Sequence, residues 1–330
     1  MSRSTCALLV LSLALGLWSC VANQSKAPVH WAIAVHGGAG TIAREAPAEQ
    51  LAEHKAALEV ALRHGQTMLA NGASALDVCE AVVRILEDDP HFNAGKGAVF
   101  NEKGEHELDA SIMDGATLSC GAVAGVRTVK NPVSLARLVM QRTKHVLLMG
   151  EGAEQFATLM GVERVPNTWF DTEHRRKVLE EVLRERAAGL AKPAHTYGTV
   201  GCVVRDAQGH LAAATSTGGL TGKRWGRVGD TPIIGAGNWA DARVAVSGTG
   251  TGEQFIRHAV ARTIAARMEY GGQSLQEATD GLVQHTLQPD DGGVIAVDRE
   301  GRIAMPYNSE GMYRGAADST GRFEVHIHEE

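Results

Sequence analysis

Residues 198–219 read Gly-Thr-Val-Gly-Cys-Val-Val-Arg-Asp-Ala-Gln-Gly-His-Leu-Ala-Ala-Ala-Thr-Ser-Thr-Gly-Gly. Two runs of small and β-branched residues, Val200–Arg205 and Leu211–Thr215, flank the turn signal Ala207-Gln208-Gly209, so the stretch predicts a β-hairpin. The same grouping recurs outward. Val294–Asp298 and Arg302–Tyr307 flank Arg299-Glu300-Gly301, and Val99–Asp114 reads as a hairpin turning at Lys103-Gly104. Single strands are predicted at Trp31–His36, Leu118–Val126 and Arg243–Ser247.

Helical spacing marks the segments between. Gln50–Leu69 repeats Leu51, Leu58, Ala61, Leu62 and Met68 on one face, and Ser74–Leu86 is apolar on most sides. Pro132–Met140 and Gly150–Gly161 also read as helices. Thr251–Met268 and Ser274–Leu287 open on the capping boxes Thr251-x-x-Gln254 and Ser274-x-x-Glu277. Val162–His195 is charged throughout and reads as a solvated helix and linker with no core of its own. Strands thus come in hairpins and helices in blocks, without βαβ alternation. That predicts an α+β fold of antiparallel-rich sheets covered by helices, in layers.

The 330 residues are 44% hydrophobic with 38 glycines and 9 prolines, enough for a real core joined by many tight turns. A balance of 32 basic to 38 acidic side chains argues against a nucleic-acid binder. Five cysteines without a C-x-x-C pair exclude a zinc ribbon and a disulfide-dense scaffold, and Cys79, Cys120 and Cys202 read as buried free thiols. Residues 1–22 read as a signal peptide: Arg3, then an apolar run from Ala7 to Trp18 too short to span a bilayer. Leu17-Trp18-Ser19-Cys20 resembles a bacterial lipoprotein box ending at Cys20, and cleavage after Ala22 is the competing reading. The expectation is export, either periplasmic or lipid-anchored to the bacterial envelope through Cys20.

Candidate chemistry concentrates between Gly198 and Gly252, where hydroxyls and glycines recur at strand ends. Arg227 and Asp230 stand among glycines in Gly226-Arg-Val-Gly-Asp230 and would suit the carboxylate and amine of an amino acid. No Gly-x-Ser-x-Gly elbow and no His-Glu-x-x-His is present, so neither a serine hydrolase nor a zinc hydrolase has its parts. A threonine can instead be activated by its own α-amine once that amine is a free N-terminus. Thr199 is internal, so the Gly198–Thr199 bond would first have to break. A nucleotide-binding reading of Gly37–Thr41 fails for want of G-x-G-x-x-G and of the P-loop lysine.

The ordered set His36-Gly-Gly-Ala-Gly40, Phe92-Asn-Ala-Gly-x-Gly97, Glu107-Leu-Asp-Ala-Ser111, Gly198-Thr-Val-Gly201, Ala214-Thr-Ser-Thr-Gly-Gly219, Gly226-Arg-Val-Gly-Asp230, Gly235-Ala-Gly237 and Thr249-Gly-Thr-Gly-Glu253 resembles the plant-type L-asparaginase and isoaspartyl-peptidase family of N-terminal-nucleophile hydrolases. The resemblance implies a four-layer αββα sandwich made as a precursor that cuts itself between Gly198 and Thr199. Residues 23–198 would be the α subunit and 199–330 the β subunit of one structural domain, assembled as a dimer of αβ pairs. It implies Thr199 as nucleophile, Thr217 as its orienting partner, Thr249 and the Gly250 amide as the oxyanion hole, and Asn93 beside the nucleophile. Arg227 and Asp230, with Gly250 and Gly252, would bind the substrate carboxylate and amine. Catalysis would need no cofactor. Backbone carbonyls of Leu86, Glu87, Asp89, Phe92, Ala94 and Lys96 would wrap a structural sodium ion. The implied substrates are isoaspartyl dipeptides and L-asparagine. Glycosylasparaginase is the alternative within the family, but its branch tends to carry Ser-Thr-Asn-Gly and Thr-Gly-Asp-Gly where this chain has Ser216-Thr-Gly-Gly219 and Thr249-Gly-Thr-Gly252.

Overall fold

The computed structural model describes residues 30–40, 42, 46–190 and 198–328. The leader with Cys20 and the end of the linker with His195 lie outside the described residues. In chain order the elements begin with β1 (Ala32–Gly40), α1 (Ala48–Ala70), α2 (Ala75–Asp88), β2 (Leu108–Asp114), β3 (Cys120–Val126), α3 (Pro132–Arg142), β4 (Leu147–Met149), α4 (Gly150–Leu159) and α5 (Glu173–Ala187). They continue with β5 (Val200–Arg205), β6 (Leu211–Thr217), β7 (Asn238–Ala240), β8 (Val244–Gly250), α6 (Gly252–Arg257), α7 (Val260–Gly271), α8 (Leu275–Val283), β9 (Gly292–Asp298), β10 (Ile303–Ala304), β11 (Gly311–Asp318) and β12 (Phe323–His326).

Eight strands form one sheet in the order β12-β11-β1-β5-β6-β2-β3-β4, and four form a second in the order β10-β9-β8-β7. Every pairing among these strands is antiparallel except β3 with β4. Helices α1 to α3 cover the large sheet, with Leu58, Leu62, Val78, Val82, Leu86 and Val133 buried against Ile33, Val35, Val204 and Ile112. Helices α7 and α8 cover the small sheet through Ile264, Ala265, Leu275 and Leu282. Between the sheets lies a layer of smaller residues, including Ala34, Val203, Ala213, Ala245, Ile295 and Met312. These are the four layers of the αββα sandwich. The strand period of two sorts β5 and β6 cleanly. Val200, Cys202, Val204, Ala212 and Ala214 face the helices, while Val203, Leu211 and Ala213 face the second sheet. Thr199, Thr215 and Thr217 continue the intersheet side of that alternation. No helix among the described residues is long and apolar enough to cross a membrane.

Several predicted boundaries shift. Of the hairpin predicted over Val99–Asp114 only its second half is a strand, because the Asn101 side chain accepts from the Lys103 and Glu105 amides (2.9 and 3.0 Å) and closes a polar turn instead. The helix predicted over Thr251–Met268 is two, α6 and α7, broken at Ala259, whose φ is +44°. Thr251 makes no side-chain cap there, whereas the Ser274–Glu277 capping box forms in full. Segment 162–190 is not free of the core: Phe170, Arg175 and Leu179 are buried. The strand pair β11 and β12 is an addition, and β11 lies beside β1 well inside the large sheet. Cys79 and Cys202 are buried free thiols as predicted, and Cys120 is half-buried.

Candidate active site

Thr199 immediately precedes β5, beside the last residue of β6, and its Oγ donates to Thr217 Oγ at 3.1 Å. The Gly219 amide donates to the same Thr217 oxygen at 3.0 Å, so that oxygen is fixed from two sides. Asn93 ties the other strands of the site together. Its amide donates to the Gly198 carbonyl (3.0 Å) and its carbonyl accepts from the Gly218 amide (3.1 Å). Its side chain donates to Gly219 O (2.8 Å) and accepts from the Val99 amide (2.9 Å). Thr199 and Asn93 are both buried.

The approach of β1 to this point requires glycine. Gly38 has φ +116°, and a Cβ there would run into the Gly198 backbone, 3.0 Å from its carbonyl carbon and closer still to its Cα. Two residues earlier, His36 links the two sheets. Its Nδ1 lies 2.9 Å from Thr199 O and its Nε2 lies 2.8 Å from Ser247 Oγ. A carbonyl can only accept, so Nδ1 carries the proton and neutral Nε2 accepts from Ser247. Ser247 then accepts from Thr215, 2.8 Å away. Burial drives the His36 pKa down to about 3, partly opposed by the bond to Thr199 O, so the ring stays neutral. Besides packing between the sheets, the ring therefore orients the Thr199 carbonyl.

Thr249 lies on β8, fully buried, and its Oγ accepts from the Ala39 amide at 3.3 Å, which leaves its own proton to donate elsewhere. Gly250 has φ +153°, and a Cβ there would collide with Asp291 O. Arg227 stands at the other end. Its Nε and Nη2 make a two-pronged bond to Glu253 (2.9 and 2.8 Å). Its Nη1 lies 3.6 Å from the Cβ position of Gly219, which places the guanidinium beside the Thr217–Gly219 turn. A Cβ on Gly252 would sit 2.8 Å from Arg227 Nη2 and 2.9 Å from Asp230 Oδ1, so these three residues meet in one place. Burial raises the Asp230 pKa to about 7, against the pull of Arg227, and Asp230 Oδ2 has no hydrogen-bond partner.

Three charged groups here were not assigned from sequence. Glu253 fills one edge of the Arg227 fork. Lys223 is buried, donates to Glu107 O at 2.7 Å, and its Nζ lies 3.0 Å from the Cβ position of Gly219. Asp109 faces Thr217 across the β2–β6 ladder, accepts from the Gly125 amide at 2.8 Å, and leaves Oδ2 unpartnered. The motifs containing Glu253 and Asp109 were visible, but nothing in their spacing shows which side chains face Arg227 or Thr217.

The loop after α2 turns carbonyls inward. A Cβ on Gly97 would collide with the carbonyl oxygens of Phe92 and Pro90, and one on Gly95, at φ +49°, with that of Glu87. The carbonyls of Glu87 and Phe92, two of the expected set, thus lie against these glycines, as does that of Pro90. Among the described residues no group of three or more His, Cys, Asp or Glu side chains is placed to hold a metal ion.

A family model described as asparaginase matches residues 29–327. The isoaspartyl peptidase of Salmonella typhimurium is 54% identical over 86% of this chain and 93% of its own length. That of Escherichia coli is 51% identical over 86% and 91%. A probable isoaspartyl peptidase/L-asparaginase of Arabidopsis thaliana is 46% identical over 91% and 99%. Motif order, layered sandwich and similarity along nearly the whole described chain agree, and the chain belongs to the asparaginase family of N-terminal-nucleophile hydrolases.

Proposed function

We propose that this protein is an amidohydrolase that cuts itself between Gly198 and Thr199 and then hydrolyses β-aspartyl (isoaspartyl) dipeptides and L-asparagine, releasing aspartate. The observation that carries the proposal is the pairing of Thr199 Oγ with Thr217 Oγ at 3.1 Å beside a Gly198 carbonyl held by the Asn93 amide. The names of the bacterial and plant relatives support the substrate class. Ser216-Thr-Gly-Gly219 and Thr249-Gly-Thr-Gly252 favour it over glycosylasparaginase.

In maturation, Thr199 Oγ attacks the Gly198 carbonyl carbon and its proton passes to the departing Thr199 nitrogen. The peptide bond becomes an ester. Water then cleaves the ester to give a Gly198 carboxylate, a free hydroxyl and a free α-amine. The Asn93 N–H points where the oxyanion forms. In turnover the α-amine, with a pKa near ~8, takes the Thr199 hydroxyl proton. The oxygen attacks the side-chain carbonyl of the substrate. Thr249 Oγ–H and the Gly250 N–H hold the developing charge. Ammonia or an amino acid leaves with the proton, and water releases aspartate from the β-aspartyl ester. Arg227 takes the substrate carboxylate, while Asp230 with Gly250 and Gly252 takes its ammonium. Asp230 must be ionised for this, and the arriving ammonium replaces the water it lost.

The proposal divides the domain into an α subunit, 23–198, and a β subunit, 199–330, paired as a dimer of αβ units. A sodium ion held by the carbonyls of Leu86, Glu87, Asp89, Phe92, Ala94 and Lys96 would supply charge that stiffens the loop carrying Asn93. Export by the N-terminal leader completes the reading, with the mature protein either free in the periplasm after cleavage at Ala22 or anchored by a lipid on Cys20. Thr199→Ala tests it: we expect one uncut band of precursor mass and no release of ammonia from asparagine or of free amino acid from isoaspartyl dipeptides. A cut or active variant removes Thr199 from the mechanism. Intact mass of the wild-type protein reports leader, lipid and internal cut together.

A further inference from the structure

Helix α5 places one costly group that the reaction above does not use. Arg175 is 7% exposed, and among the described residues no carboxylate pairs with it. Its ionisable neighbours are His54 on α1, His174 on α5 itself and the Tyr313 phenol on β11. Burial holds its pKa down at about 10, with only slight relief from Tyr313. A guanidinium buried without a counter-charge is expensive, so an ion pair does not explain the residue.

The hydrogen bonds do. Nε donates to Gly97 O at 2.9 Å and Nη2 to His91 O at 3.4 Å. Those two carbonyls bracket the loop that carries Asn93. The planar fork spans them, which an ammonium on a flexible stem would do less well. Inside the bracket, Asn93 holds the Gly198 carbonyl from one side and the Gly218–Gly219 turn from the other. The chain of contacts therefore runs from α5 through the loop to the bond between Gly198 and Thr199.

We propose that Arg175 is a positioning residue for self-cleavage: by bridging His91 O and Gly97 O it fixes the loop that aims the Gly198 carbonyl at Thr199. The proposal rests on the reading that the chain cuts itself at that bond. Attack on a carbonyl tolerates little displacement, so loosening the bracket should slow cleavage far more than it lowers overall stability.

The test follows conversion of freshly made full-length precursor by denaturing gel, alongside thermal melting of each variant. Arg175→Met should slow conversion at least about tenfold. Leu179→Ala, one turn further along α5 at a buried apolar site, is the control for mere docking of the helix. It should melt lower yet cut within about twofold of wild type. Arg175→Lys, which keeps the charge but offers a single nitrogen in place of the fork, should fall between wild type and the methionine variant. The proposal is overturned if Arg175→Met converts at the wild-type rate, or if Leu179→Ala slows conversion as much for the same loss of melting temperature. Should the methionine variant be insoluble, the lysine variant decides: slower than wild type supports the bracket, and equal to wild type removes it. A wild-type chain that never yields a fragment beginning at Thr199 fails the self-cleavage reading itself, a result visible in the same gel and distinct from these.

Discussion

The two ends of the site are finished to different degrees. Around Thr199 each polar group described has its partner: Thr217 Oγ is held by Thr199 and Gly219, His36 is neutral and bonded at both nitrogens, and Asn93 uses both main-chain and both side-chain groups. At the Arg227 end, two buried carboxyl oxygens, Asp230 Oδ2 and Asp109 Oδ2, have no hydrogen-bond partner. Buried polar atoms are rarely left so. A saturated end suits a nucleophile whose geometry is set by folding, first against the chain's own backbone and then in each turnover. An end with unspent acceptors suits repeated capture of a charged ligand.

Gly38→Ala should have the largest effect, because it strikes the saturated end where no neighbour can yield: the added methyl would meet the Gly198 backbone at a positive φ. We expect an uncut chain on a denaturing gel; normal cutting would mean that the close approach of β1 is unnecessary. Arg227→Ala should separate the two ends. Cutting should proceed at the wild-type pace while KM for β-aspartyl substrates rises by about thirtyfold or more, as loss of a partly buried charge contact costs ~2 kcal/mol or more. Unchanged steady-state kinetics would remove the clamp. The smallest effect concerns Asp230. Its pKa is raised on folding from 3.8 to about 7, so the native state holds its proton more tightly than the unfolded one. Its ionisation therefore costs stability in full above pH ~7, and the cost fades as pH falls toward 4. Asp230→Asn should raise the melting temperature by a few degrees at pH 8 and by less than half as much at pH 5. An equal gain at both pH values would show that charge burial is not the cause.

The parts legible in the sequence were those with local signals. The β5–β6 hairpin, the capped start of α8 and the apolar α2 all form near their predicted places because turn residues, a cap or a face of side chains declares them. Strand β11 was missed although it lies beside β1: Met312, Tyr313 and Arg314 interrupt any alternation, and its pairing comes from burial against a strand about 280 residues earlier. The break at Ala259 was invisible because alanine seldom marks a left-handed turn. At the site, motifs located Thr199, Asn93, Arg227 and Asp230. The roles of Lys223, Asp109 and Glu253 depend on which side chains converge across distant strands, and spacing alone does not state that.

The sheet order has a consequence for the proposed cut. Read across the large sheet, strands from before and after the 198–199 bond alternate: β12 and β11 come after it, β1 before, β5 and β6 after, then β2, β3 and β4 before. A cut there leaves two polypeptides braided through one hydrogen-bonded ladder, each supplying edges that the other fills. They should melt as a single cooperative body, and halves synthesised apart should remain unfolded until mixed, since neither owns the whole of the large sheet.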